Sequence, residues 1–351
     1  MITKIIKEDL IIEAKAEFES AESIVIVSHT SPDGDALGSS LSLSHFLQNQ
    51  GKKVAVVFPT EFPQNYNWVP GTKETLIYSN NPTKANELIK NADLICCLDF
   101  NELKRIGDMA IPVAEAPGRK LLIDHHTNPS SFADIVISYP AMSSTSEMIF
   151  RVICRMGYFS EISVECATCI YLGMMTDTGA FTFNSTHPEI FVIISELIKK
   201  GIDKDEIYRK TYKNNKESRY KMLGHLLSNN MRVNKELGVA TLWMTEQELM
   251  RFNYETGDTE GFVNIPLDIK GVVCSAFFKE TEGKIRLSLR SIGDVPVNEF
   301  AAKFYNGGGH INASGGESFL PMEETLRNFD KNILDLEERL LKEIERQSDE
   351  I

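Results

Sequence analysis

Four short stretches of the chain place acids and imidazoles where a metal ion or a phosphate could use them. The first, SHTSPDGDALGSS, gathers His29, Asp33 and Asp35 in a Pro-Asp-Gly turn that runs into a helix. A turn of this kind also reads as a plain helix cap, with Asp35 accepting backbone N–H bonds, so both readings stay open for this segment alone. In the second, Asp99 interrupts the apolar run DLICCL at its C-terminal end and reads as a ligand or as a cap. The third, LLIDHHTN, sets Asp124, His125 and His126 side by side where a strand gives way to a loop. There one imidazole can ligate while a carboxylate orients a ring through its other nitrogen; an exposed polar loop is the alternative. In the fourth, GMMTDTGAF, Asp177 ends a very apolar helix, where an acid opposes the helix dipole unless a cation offsets it.

Several aspartates with two or more imidazoles, and no matching cysteine cluster, form a hard-to-borderline donor set suited to Mn²⁺ over structural zinc. One metal cannot use them all. Two metals about 3.5–4 Å apart could share a carboxylate and bind the attacking and leaving oxygens of a phosphate ester, with water between them attacking in line. A separate constellation lies far downstream. YNGGGHINASGG carries three consecutive glycines before His310, a glycine-rich loop whose backbone N–H groups could approach an anion without a Cβ in the way. Upstream of it, KIRLSLRS ends in Arg290 and Ser291, a guanidinium fork and a hydroxyl for a phosphate. An ordinary surface charge is the other reading of Arg290.

The elements that must position these groups follow from the apolar pattern. From Ser23, short β-branched runs (SIVIVS, KKVAVVF, DLICCLD, KLLIDHH, ADIVIS) alternate with helical ones, the signature of an α/β fold with a parallel sheet. Apolar helices at SSTSEMIFRVICRMG, SVECATCIYLGMM and HPEIFVIISELIKKG complete a first domain over 1–211. A helical connector is expected over 212–230. Runs at GVATLWMT, GVVCSAFFKE and KIRLSLRS then point to a smaller α+β domain over 231–351 with a mostly antiparallel sheet. Leu326, Phe329, Ile333, Leu336, Leu340 and Ile344 predict a closing helix packed on its own domain, with a coiled-coil partner as the alternative.

The chain has 351 residues, 42% of them apolar and 25% charged, within the globular range and long enough for two domains. A formal net charge of −13 argues against wide binding to long nucleic acid, which needs a basic surface, and leaves room for a small anion held by local cations. Six cysteines in apolar stretches point to a reducing compartment, and the Cys166-x-x-Cys169 pair reads as helix core before redox or zinc chemistry. The N-terminus reads as an amphipathic helix and not a signal peptide, and no membrane-length apolar run occurs. A cytoplasmic protein without membrane association is expected. Apolar surface on the late helices of the first domain could support a homodimer.

The ordered set HTSPDGD, LDF, DHH and MMTDTGAF, followed much later by RS and GGGH, resembles the DHH phosphoesterases that carry a DHH-associated C-terminal domain. Within that family it is most similar to the bacterial oligoribonucleases, or nanoRNases, that also dephosphorylate 3′-phosphoadenosine 5′-phosphate. The resemblance spans nearly the whole chain and every metal position is filled. It implies that His29, Asp33, Asp35, Asp99, His125 and Asp177 ligate two manganese ions, with Mg²⁺ or Co²⁺ as substitutes and Asp99 bridging. Asp124 would orient its neighbour, and His126 would face the substrate phosphate. His125, His126, Asp99 and Asp124 are thereby the implied catalytic group. Arg290, Ser291, Gly308, Gly309 and His310 would grip the substrate, with Arg105 in KRIG as a further candidate, and the active site would lie in the cleft between domains. Short RNA or a small nucleotide is the implied substrate. Competing readings are a cyclic or linear dinucleotide phosphodiesterase, an inorganic pyrophosphatase or exopolyphosphatase, and a metal- or nucleotide-binding module without chemistry.

Overall fold

In the computed structural model, which describes residues 4–281 and 283–349, the chain divides into two compact units between Asn214 and Asn215. The strands of the first unit are β1 Ser23–Val27, β2 Lys53–Phe58, β3 Leu76–Ile77, β4 Leu94–Leu98, β5 Arg119–Asp124 and β6 Ile135–Ser138. Its helices are α1 Glu8–Ser20, α2 Gly34–Asn49, α3 Pro82–Asn91, α4 Ala110–Glu115, α5 Thr145–Arg155, α6 Val164–Asp177, α7 Pro188–Lys199 and α8 Lys204–Tyr212. All six strands pair in parallel, in the order β3-β2-β1-β4-β5-β6. Strands buried on both faces read as unbroken apolar runs. β4 shows why: Cys96 points into a core shared with α1, α2, α5 and α6, and Cys97 into one shared with α3 and α4.

The order reverses at the adjacent pair β1 and β4, so the crevice beyond their C-terminal ends is the topological switch point where such sheets hold ligands. His29 follows β1, Asp99 follows β4, and Asp124 to His126 close β5. α2 and α6 must come together to add Asp35 and Asp177. Their contact depends on small residues: a Cβ on Gly38 would meet the Cys169 carbonyl at 2.6 Å, and one on Gly173 would meet Asp35 Oδ1 at 2.6 Å.

The second unit contains α9 Glu217–Asn229, β7 Met231–Asn234, β8 Val239–Met244, α10 Glu246–Arg251, β9 Cys274–Thr281, β10 Lys284–Ser291, α11 Val297–Phe304, β11 Gly308–His310, β12 Ala313–Ser318, α12 Met322–Asn332 and α13 Glu337–Asp349. Its sheet runs β11-β12-β10-β9-β8-β7 and is antiparallel except where β8 pairs β9. α9 buries Met222 and Leu226 with Leu242 and Phe277 on one face. The other face takes Phe300, Phe329, Ile333, Leu336 and Leu340, so the closing segment packs on its own unit. That segment is not one helix: a 3-10 stretch, Ile333–Leu336, separates α12 from α13.

A second difference concerns the glycine run. Gly308–His310 is an edge strand paired antiparallel with β12, Gly308 against Gly315 and His310 against Ala313, where a loop was expected. Gly309 has φ +141°, and a Cβ there would meet the Ala313 carbonyl at 2.5 Å, so close strand approach already requires glycine. Among the described residues no helix is long and apolar enough to cross a membrane. The six cysteines are all unpaired. Phe191, Val192 and Ile198 of α7 are exposed.

Candidate metal centre

The parallel sheet brings His29, Asp33, Asp35, Asp99, Asp124, His125, His126 and Asp177 into one set of overlapping groups. His29, Asp33 and Asp99 form one, Asp35, His125 and Asp177 a second, and Asp99, Asp124 and His126 a third; in each, the donor atoms lie within 4.8 Å of one another. Asp99 links them. Its Oδ2 is 3.4 Å from His29 Nε2, while its Oδ1 is 3.7 Å from His125 Nε2. His125 Nε2 is also 3.2 Å from Asp177 Oδ2 and 3.9 Å from Asp35 Oδ2, and His29 Nε2 is 3.8 Å from Asp33 Oδ1.

The backbone orients both rings. His29 Nδ1–H donates to the Thr30 carbonyl at 2.9 Å, and His125 Nδ1–H donates to the Met142 carbonyl at 3.2 Å. A carbonyl can only accept, so Nδ1 carries a proton in each ring and Nε2 is the nitrogen turned toward the carboxylates, the arrangement by which outer partners orient metal-bound histidines. His126 Nδ1–H donates instead to Asp124 Oδ1 at 2.7 Å.

The carboxylates are held by elements the sequence reading did not single out. Asp33, not Asp35, caps α2, its Oδ1 accepting from Asp35 N and Ala36 N at 3.0 Å. Asp35 points the other way, across to the start of α5, accepting from Thr145 N at 2.7 Å and Ser146 N at 2.9 Å. That helix N-terminus favours an anion. The Thr145 hydroxyl donates to Asp99 Oδ1 at 2.9 Å. The run SSTSEMIF shows a helix start and no ligand, so its part in the site has no signal in sequence, and a backbone carbonyl such as that of Met142 has none at all.

The electrostatics follow from this crowding. Burial and then the charges of Asp99 and Asp177 push the Asp35 carboxyl well above the usual carboxylate range. Burial alone would lower His125, but Asp177, Asp99, Asp35 and Asp124 outweigh it and carry the ring up to about 9. Burial likewise opposes ionisation of Asp99, yet the hydrogen bond with His29 and the charges of His126, His29 and His125 together hold it below its ordinary value. Burial depresses His29 and Arg105 adds to that, but Asp99 and Asp33 prevail and raise it. Carboxylates crowded and buried in this way disfavour each other's ionisation until a cation joins them. Among the described residues buried Asp124 Oδ2 has no hydrogen-bond partner, which fits a site built to hold a cation. The six candidate ligands His29, Asp33, Asp35, Asp99, His125 and Asp177, oxygen-rich with two imidazoles and no thiolate, fit a hard-to-borderline divalent cation.

The remaining candidates divide. Arg105, in the 3-10 segment Leu103–Met109, accepts from Thr30 N through its carbonyl at 2.8 Å, and its charge acts on His29, so it belongs to this neighbourhood. Arg290, Ser291, Gly308, Gly309 and His310 gather at one end of the second unit's sheet, where Arg290 pairs with Ala313 and Ala313 with His310. The Ser291 hydroxyl already donates to the Val295 carbonyl at 2.7 Å and accepts from Asn312 Nδ2 at 2.9 Å.

Sheet and site together define an α/β protein with a buried carboxylate–imidazole cluster at the switch point of a doubly wound sheet. Residues 23–174 match the DHH family, N-terminal domain, and residues 236–338 the DHHA1 domain. The chain is 30% identical over 303 residues to the bifunctional oligoribonuclease and PAP phosphatase NrnA of Bacillus subtilis, an alignment covering 85% of this chain and 90% of the relative. It is 30% identical over 294 residues to the NrnA of Thermus thermophilus, with 83% of each chain covered. A crystal structure of an exopolyphosphatase-related protein from Bacteroides fragilis superposes with a TM-score of 0.93 at 54% identity, covering 97% of this chain and 99% of that one. The chain belongs to the DHH family, with a DHHA1 domain in its second unit, and is a metal-dependent phosphoesterase.

Proposed function

We propose that the chain hydrolyses very short oligoribonucleotides to mononucleotides, 3′-phosphoadenosine 5′-phosphate to AMP, or both, at two Mn²⁺ ions held by His29, Asp33, Asp35, Asp99, His125 and Asp177. The observation that carries this reading is Asp99, one buried carboxylate whose two oxygens face two different donor groups, at 3.4 Å from His29 and 3.7 Å from His125. When bound, two such ions supply Lewis acidity toward a phosphate ester and a nucleophile at neutral pH.

The chain's own side chains supply the rest. Asp124 holds the His126 ring through the 2.7 Å bond to Nδ1, and His126 is assigned to the scissile phosphate, where it stabilises charge or protonates the leaving oxygen. Arg105 contributes a permanent positive charge for phosphate oxygens. In the second unit, Arg290 and His310 are assigned to the far phosphate or sugar of the substrate. Ser291, Gly308 and Gly309 shape that strand end, since the serine hydroxyl is engaged within the fold and the glycines permit the close β11–β12 pairing. The names of the two NrnA relatives support this substrate class. So does the net charge of −13, which disfavours long polyanions. Unpaired cysteines suit a cytoplasmic setting.

The test is product formation with Mn²⁺ from a pentaribonucleotide, a long RNA, 3′-phosphoadenosine 5′-phosphate, a cyclic dinucleotide and pyrophosphate, with Asp99→Ala as control. Asp99-dependent turnover of the short RNA or the bisphosphate is expected, with the long RNA a poor substrate. Turnover confined to cyclic dinucleotides or pyrophosphate would overturn the substrate assignment while keeping the centre.

A further inference from the structure

One turn into α5, Glu147 and Arg151 are both buried, their side chains 2% and 4% exposed. Arg151 Nε donates to Glu147 Oε1 at 2.8 Å, and its Nη2 lies 2.7 Å from the same oxygen and 2.8 Å from Glu189 Oε2 on α7. The other oxygen, Glu147 Oε2, accepts from both Ser143 N at 2.9 Å and Ser143 Oγ at 2.6 Å. Withdrawing a carboxylate and a guanidinium from water is expensive, and apolar residues of similar volume often serve stability equally well. Stability alone is therefore a weak reason for this chain of charges.

What the charges hold is more telling. Ser143 sits between Met142, whose carbonyl orients His125, and Thr145, whose hydroxyl holds Asp99 and whose N–H, with that of Ser146, holds Asp35. Glu147 grips Ser143 by both of its donors, and Arg151 anchors Glu147 to α7. We infer that Glu147 and Arg151 are positioning residues for the metal centre, setting the Met142–Ser146 backbone that aims His125, Asp99 and Asp35. This rests on the metal-centre reading above. Neither residue is among the candidate ligands; each acts through the segment it braces. Without the brace, the Met142 carbonyl is no longer held against His125 Nδ1, and Asp99 loses a fixed donor, so both groups of ligands loosen together.

The experiment titrates metal-free protein with MnCl₂ by calorimetry and by electron spin resonance, beside thermal melts and kcat and KM. The variants are Glu147→Gln/Arg151→Met, which removes both charges at once, Arg151→Lys, which keeps the charge and loses the fork, and Ser143→Ala, which removes one link and leaves the ion pair. A folded double variant is expected to lose about ten- to hundred-fold in Mn²⁺ affinity, the range for partners that orient ligands. Its kcat should fall with KM unchanged, and Arg151→Lys should lie between it and wild type. A folded double variant with wild-type affinity overturns the inference. If the double variant does not fold, Ser143→Ala decides: several-fold weaker Mn²⁺ binding at an unchanged melting midpoint supports the inference, and unchanged binding overturns it. Wild-type protein that binds no Mn²⁺ would overturn the underlying reading, a result distinct from normal binding in both wild type and variants.

Discussion

Asp99 occupies the left-handed region, φ +64°, at the end of a strand buried throughout. For a residue other than glycine this costs about 1–3 kcal/mol and persists only where the surroundings over-determine it. They do here: its N–H donates to the Ile123 carbonyl at 3.2 Å and its carboxylate accepts from Thr145. Thr145→Val removes that hydroxyl at constant shape. It is expected to lower activity about ten- to hundred-fold while stability changes little, measured by initial rates beside denaturant midpoints. Intact activity would mean that Asp99 is placed by its backbone alone. Protonation gives a second outcome at this scale. His125, raised to about 9, stabilises the metal-free fold fully below its unfolded value of about 6.5, and that stability is lost as pH rises through 9. Asp35, also raised, acts in the same direction. Metal-free protein should thus melt at falling temperature from pH 6.5 towards 9, and Mn²⁺ binding below 9 should release at least one proton, read from calorimetry in buffers of different ionisation enthalpy. Binding without proton release would remove His125 from the ligands.

α2 and α6 approach closely enough that Gly173 has no room for a side chain, and this approach brings Asp35 and Asp177 to the same imidazole. Gly173→Ala would push a methyl into Ser146 Oγ and Asp35 Oδ1, overpacking expected to cost about 1–3 kcal/mol by denaturant midpoint and to weaken Mn²⁺ binding with it. A variant of full stability and full affinity would show that helix spacing does not set this half of the site. Element types were legible in sequence wherever burial imposed a pattern: the run LICCL reads as a fully buried strand because both of its faces are covered. The acids and histidines were legible as departures from such runs. What could not be read depends on partners distant in sequence. Nothing in the apolar runs says that β1 and β4 are neighbours, or that Asp33 caps α2 while Asp35 reaches α5. The triple glycine before His310 looked like an anion loop because glycine answers two needs, open backbone and close strand approach, and sequence does not separate them. The closing segment kept its apolar spacing across a 3-10 stretch, so periodicity alone drew one helix where there are two.

On the scale of the whole chain, all six candidate ligands lie in the first unit. A ligand that binds only the folded state stabilises it by mass action, about 2.7 kcal/mol at a free concentration one hundred times its dissociation constant. The crowded carboxylates make this centre the expected source of that gain, because a cation removes the repulsion that pushes Asp35 upward. Mn²⁺ should therefore raise the thermal midpoint, and chelation should reverse it. Amide hydrogen exchange locates the effect: slowed exchange is expected first at Thr145 and Ser146, whose N–H groups donate to Asp35, and at Asp35 and Ala36, whose N–H groups donate to Asp33. Asp99→Asn keeps the shape of the side chain and removes its charge, so in that variant both the midpoint shift and the slowed exchange should largely vanish. An equal Mn²⁺ shift in wild type and Asp99→Asn, or protection confined to the second unit, would mean that the ion responsible binds elsewhere and that Asp99 does not join the two donor groups.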